Sequence, residues 1–273
     1  MSDDGPDRTE SPFLGTSRPL FGDPVPPSPQ RAATPSPVRG RLDGQLALVT
    51  GASGMLGAAM AMELSARGAD LCLLGRDLTG LLEVVDDLGT GVRAAVLRCD
   101  LAVADDVVDA GEFVERLDRP VDVVVHAAGL QAGAHIADGD VEALDEHYLL
   151  NVRGPYLLSQ RVLGLLRVGT ATCVFFSSPD VAGPIPGDVH HAITRAAALA
   201  LADELRVEAA DRGVRVLSVL ATDRPDERGL VVDTDRFVDG VAAAVCDALA
   251  TGDVDTTELR LRSVAHRSGS ERR

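Results

Sequence analysis

Short apolar runs alternate along the chain with longer stretches whose apolar positions recur at helical spacing. Seven runs read as strands: 45–50 (QLALVT), 69–75 (ADLCLLG), 93–99 (RAAVLRC), 121–127 (VDVVVHA), 171–178 (ATCVFFSS), 214–221 (VRVLSVLA) and 257–262 (TELRLR). Most are continuous β-branched or leucine runs, the pattern of strands buried on both faces. Residues 58–68, 141–167 and 193–213 carry helical patterns between them. Repeated β-α-β units predict an α/β fold, a doubly wound parallel seven-stranded sheet with helices on both faces.

The flanks differ. Residues 1–42 are rich in Pro, Ser, Asp and Arg, too poor in apolar surface to order themselves, and read as a disordered arm. Residues 264–273 read as a flexible tail around a domain at 43–263. A length of 273 residues suits one α/β domain with such extensions. With 3% aromatics and no tryptophan, Ala, Val and Leu must fill the core. No apolar run reaches the roughly 18 residues of a membrane span, and the acidic start MSDDGPD is not a secretory signal.

Charge and cysteines narrow the partners. A net charge of −16 repels nucleic-acid phosphates and anionic membrane surfaces, so neither is an expected partner. Cys72, Cys99, Cys173 and Cys246 form no CxxC pair and read as buried small hydrophobes. A reducing, cytoplasmic location is expected. Every basic side chain is arginine. Without lysine, no Schiff base and no lysine acid, base or ribose clamp can form.

The most specific motif is Thr50-Gly51-Ala52-Ser53-Gly54-Met55-Leu56-Gly57, between the first strand and a helix. A pyrophosphate must approach backbone N–H groups at a helix N-terminus, where a Cβ would block it. Gly51, Ser53, Gly54, Met55, Leu56 and Gly57 are therefore candidate cofactor contacts. The second strand ends Leu74-Gly75-Arg76, with no acid to bind a ribose 2′-hydroxyl. Arg76 can pair with a 2′-phosphate instead, which favours NADP(H) over NAD(H).

With these features, residues 43–263 resemble the single-domain branch of the short-chain dehydrogenase/reductase family, a Rossmann-like fold. The resemblance implies that Asp100-Leu101 contacts adenine and that His126-Ala127-Ala128-Gly129 supports the sheet beside the cofactor. It assigns Asn151 to a water-mediated proton relay and Ser178 to substrate orientation. The glycine spacing is closer to that of the extended and atypical branches, because Met55 stands where the single-domain turn has its second glycine.

The family then expects Tyr-x-x-x-Lys. Thirteen positions after Ser178, His191-Ala192-Ile193-Thr194-Arg195 stands in that place. Residues four apart share a helix face, so His191 and Arg195 keep the geometry with different chemistry. His191 titrates near neutrality and could move a proton, while Arg195 could hydrogen-bond ribose hydroxyls. The family's Pro-Gly beside the nicotinamide is replaced by Ala221-Thr222. His190 offers no metal spacing, and no zinc site is expected.

These readings leave three functions open: an NADP(H)-dependent carbonyl or alcohol oxidoreductase acting on a small molecule, a non-catalytic cofactor-binding regulatory or structural subunit, and non-redox chemistry with His191 as base. By resemblance, the helices at 141–167 and 193–213 would pair copies into a homodimer or homotetramer, or join this chain to an active relative in a hetero-oligomer.

Overall fold

The computed structural model describes residues 42–88, 91–177, 187–222, 234–252 and 256–262. Seven strands form one parallel sheet: β1 (Leu46–Thr50), β2 (Asp70–Gly75), β3 (Ala94–Arg98), β4 (Val123–His126), β5 (Thr172–Ser177), β6 (Arg215–Thr222) and β7 (Glu258–Arg262). Their order is β3-β2-β1-β4-β5-β6-β7. Each strand lies inside or within one residue of its sequence-predicted run.

Both faces of the sheet are covered, which is why the strands read as unbroken apolar runs. On one face lie α1 (Met55–Ala66), α2 (Leu78–Asp87) and α7 (Thr234–Thr251), burying Met60, Leu64, Leu81 and Val245. On the other lie α3 (Ala104–Glu115), α5 (Gly154–Val162) and α6 (Val189–Glu208), burying Phe113, Leu158 and Leu205. All four cysteines are free and buried in these two layers.

Two boundaries differ from the sequence reading. Leu42, expected in the arm, is buried and donates its N–H to the Arg67 carbonyl at 2.8 Å. It belongs to the packed unit because its side chain completes the layer under α1 and α7. The rest of the arm, and the tail, fall outside the described residues. The helix expected over 141–167 is interrupted: α4 (Val141–Tyr148) passes into a π-helical segment, Leu149–Arg153, before α5. Pro155 lacks an N–H, and its ring would collide with the carbonyl four residues back, at Asn151. A local π turn accommodates both constraints and sets Asn151 within the bulge. Gly154 permits the crossing beneath it, since a Cβ there would lie 2.6 Å from the Leu101 carbonyl oxygen.

Asp122 ties the sheet at the N-terminal edge of its central strands. Its Oδ2 accepts the Leu46 N–H at 2.8 Å, its Oδ1 accepts from Arg167 Nε, and its carbonyl accepts from Thr172 N–H at 2.9 Å. At the opposite edge His126 is buried, stacked on Phe175 at 4.4 Å, with Nε2 3.3 Å from Ser159 Oγ. Burial draws its pKa from 6.5 to about 4.

Asp122→Ala leaves a buried N–H without an acceptor and should lower unfolding free energy by about 2–3 kcal/mol. Urea denaturation of the variant checks this. His126 is neutral in the fold down to about pH 4, whereas the unfolded chain takes up the proton below about pH 6.5. Stability from this group is therefore full above pH 6.5 and lost on acidification. The loss between pH 7 and pH 5 is about 2 kcal/mol. His126→Asn should shrink the wild-type difference in urea midpoints between those two pH values.

Candidate active site

The strand order reverses between β1 and β4, because β2 and β3 build away on one side and β5 to β7 on the other. Ligands of open α/β sheets bind outside the carboxyl ends of the strands at such a point. Here Gly51 follows β1 with φ +63°, a backbone conformation that favours glycine. A Cβ on Gly51 would lie 2.7 Å from Ala128 Cα, so glycine also lets the turn close on the strand end of β4. Thr50 binds the two strands together: its Oγ1 donates to the Val125 carbonyl at 3.3 Å and accepts from Ala128 N–H at 3.2 Å.

A cleft opens there, walled by Gly51, Ser53, Gly54, Ala127, Ala128 and Gly129. Met55, Leu56 and Gly57 are not among its walls. They form the first turn of α1, whose leading N–H groups have no intrahelical partner and present positive partial charge. Gly57 serves packing, since a Cβ there would collide with the Gly51 carbonyl oxygen. The cradle thus fits a pyrophosphate: backbone donors, no Cβ in the way, and a helix N-terminus behind it.

At the other end of the cleft, Gly75, Arg76, Asp77, Cys99 and Leu101 complete the wall. Arg76 is exposed at the rim and forms no ion pair among the described residues. Asp77 is committed as the cap of α2, accepting the Thr79 N–H at 3.0 Å. Asp100 is not part of the wall. Its Oδ1 accepts the Ala102 N–H at 3.0 Å, turning the chain so that Leu101 faces the cleft. Gly75, Asp77 and Cys99 were not singled out by sequence, although each adjoins a residue that was.

His191 and Arg195 both lie in α6, one turn apart, and the helix begins earlier than the 193 expected, at Val189. Arg195 donates from Nη1 to the Phe176 carbonyl at 2.9 Å, and its Nη2 rests against Gly129, where a Cβ would collide with it. The guanidinium therefore reaches the end of the cleft. Burial lowers its pKa to about 10, so it remains a cation at neutral pH, and it forms no ion pair among the described residues. His191 is buried, with Nδ1 3.2 Å from the Leu130 carbonyl oxygen. Burial, then the Arg195 charge, hold its pKa below the ordinary histidine value.

Asn151 faces the same point. Its Oδ1 accepts the Leu130 N–H at 2.7 Å, and its Nδ2 donates to the Leu130 carbonyl and to Thr194 Oγ1, each at 3.0 Å. Asn151, His191 and Arg195 are thus brought together around Leu130 and Gly129. Ser178 lies outside the described residues, as does 223–233 beyond Ala221-Thr222. Tyr148 and Tyr156 are half-exposed on the helices flanking the π turn. Leu130, Thr194 and His147 were missed by sequence; only Thr194, inside the H-A-I-T-R string, carried any local signal. Among the described residues no cluster of three His, Cys, Asp or Glu could hold a metal ion, and no helix is long and apolar enough to cross a membrane.

Comparison with known proteins agrees with this geometry. The family model for short chain dehydrogenases matches residues 45–223. An uncharacterised oxidoreductase of Staphylococcus epidermidis is 31% identical over 176 residues, 64% of this chain and 76% of its own length. Oxidoreductase UcpA of Salmonella typhimurium is 30% identical over 186 residues, 66% of this chain and 69% of its own. Among solved structures, an alcohol dehydrogenase from the archaeon Thermococcus sibiricus, complexed with 5-hydroxy-NADP, superposes with a TM-score of 0.72 at 28% identity, covering 82% of this chain and 98% of that one. A metagenomic short-chain oxidoreductase in complex with NADP superposes with a TM-score of 0.71 at 24% identity, covering 82% and 99%. The cradle, the sheet order and the matched segment lead to one conclusion: the chain belongs to the short chain dehydrogenase family.

Proposed function

We propose that the protein is an NADP(H)-dependent oxidoreductase that interconverts a carbonyl compound and an alcohol, with His191 in the proton-transfer role. One observation carries this reading. His191 is buried one helical turn from Arg195, beside a cleft shaped for a dinucleotide, with one ring nitrogen committed to a carbonyl. A carbonyl oxygen only accepts, so His191 Nδ1 carries the proton and Nε2 keeps its lone pair.

NADP(H), when bound, supplies the hydride for reduction or takes it up in oxidation. Gly51, Gly54 and the first turn of α1 would hold the pyrophosphate, and Arg76 would meet the 2′-phosphate. Arg195, whose Nη2 lies against Gly129 at the cleft, would hydrogen-bond the nicotinamide ribose hydroxyls. In the reducing direction the imidazolium of His191 gives its Nε2 proton to the carbonyl oxygen; in the oxidising direction neutral Nε2 takes the proton from the alcohol. The lowered pKa favours the neutral base at pH 7. Support for the cofactor comes from Arg76, which follows Gly75 in the place of a ribose-binding acid, and from the similar alcohol dehydrogenase bearing an NADP derivative. The family resemblance assigns orientation of the substrate oxygen to Ser178.

Fluorescence titration should show NADPH bound at least about tenfold more tightly than NADH. Arg76→Ala should weaken NADPH alone by about 1.5–3 kcal/mol, roughly 10- to 150-fold. No binding of either nucleotide would refute the cofactor role. With NADPH and a panel of ketones and aldehydes, His191→Ala should lower turnover about 100-fold or more while NADPH affinity holds. Unchanged turnover would remove His191 from the mechanism.

A further inference from the structure

Leu130 follows β4 in a stretch without regular structure, yet both polar groups of its backbone are committed. Its N–H goes to Asn151 Oδ1, and its carbonyl accepts both Asn151 Nδ2 and His191 Nδ1. Two residues on, the Ala132 N–H donates to His147 Nε2 at 3.2 Å. His147 and Asn151 are four residues apart on α4 and the π turn that continues it, so one helix face grips the segment at two points.

His147 is built for this and for nothing freer. It is 1% exposed. Its Nδ1 lies 2.7 Å from the Ala143 carbonyl oxygen and so carries the ring proton. Its Nε2 is left as an acceptor, which the Ala132 N–H occupies. Both nitrogens are used, so His147 cannot pass a proton. Its ring is braced edge-on by His190 at 5.6 Å. On the far side, Thr194 Oγ1 accepts from Asn151 and donates to the His190 carbonyl at 2.9 Å, fastening the same assembly to α6.

We infer that His147 is a positioning residue: by holding Ala132, it keeps the Leu130 carbonyl against His191 Nδ1 and fixes the His191 tautomer in which Nε2 faces the reaction with its lone pair. This rests on the proposed role of His191 in proton transfer. The physical reason is general, since the tautomer of a neutral imidazole is set by whatever its other nitrogen bonds. A Leu130 carbonyl free to rotate away would let the proton settle on either nitrogen, and only one arrangement leaves Nε2 able to accept.

The test reads the tautomer directly, by long-range ¹H–¹⁵N correlation spectra of the full chain near pH 7. In wild type, His147 and His191 should both be Nδ1–H. A wild-type His191 protonated on Nε2 would overturn the inference without any variant. His147→Phe keeps the ring and removes the acceptor; His191 should become a mixture of tautomers, and kcat for alcohol oxidation, which needs the Nε2 lone pair, should fall about tenfold or more while KM and NADPH affinity change less than about threefold. His147→Gln can offer Oε1 to the Ala132 N–H and should recover the single tautomer and most of kcat. A His191 that stays Nδ1–H in a folded Phe variant would refute the positioning role. Total absence of turnover, with the tautomers as stated, would count against the proposed reaction and leave the positioning intact.

Discussion

The close approach of β1 and β4 at the reversal of strand order governs what the rest of the molecule can do. Gly51 comes so near Ala128 that only hydrogen fits in place of a side chain. Thr50 bridges the same two strands from beneath, by one donated and one accepted hydrogen bond. The glycine turn and the start of α1 are thereby held at a fixed height over the end of β4. Of the residues that follow β4, Ala127 to Gly129 line the cleft, and Gly129 and Leu130 are the surface against which Arg195 and His191 are set. Cofactor cradle and proposed proton-transfer group share one support.

Within that frame, the family resemblance puts His191 and Arg195 where a tyrosine and a lysine are expected, and under the proposed function the two changes suit each other. A lysine at 195 would offer an ammonium; Arg195 offers a planar fork that spans from the Phe176 carbonyl to the face of Gly129. Its charge works with burial to keep His191 neutral, where a phenol would instead have been helped to lose its proton. A histidine reaches less far than a tyrosine and has two nitrogens to misplace a proton on. The Leu130 carbonyl answers the second difficulty, and Asn151, Thr194 and His147 answer for Leu130.

The sheet was legible in the sequence because strands buried on both faces leave no polar alternation to confuse the reading. Seven apolar runs became seven strands of one parallel sheet. The phosphate turn and the His191–Arg195 spacing were legible for a different reason: both are local, fixed by short-range backbone geometry. The break in the helix at 141–167 was visible only as Gly154-Pro155, whose effect depends on the carbonyl of Asn151 and on the passage beneath it of Leu101. Asn151 was singled out by resemblance, but its part in a clamp on Leu130 was not legible. The members of the clamp stand at 130, 147, 151 and 194, on three elements, and meet only after the sheet has closed. Asp100 read as a cleft residue from its place after β3, but its carboxylate is spent on the turn that aims Leu101 inward.

The central claim is that His191 moves the proton in an NADP(H)-dependent carbonyl reduction. Stopped-flow single turnovers, following loss of NADPH absorbance with a ketone across pH 4.5 to 9, address it most directly. Reduction needs the imidazolium, whose pKa lies below the ordinary histidine value of 6.5. The rate should therefore be level at low pH and fall tenfold per pH unit above a break on the acid side of 6.5. A rate indifferent to pH across that range, or one that breaks only above pH 6.5, would contradict it.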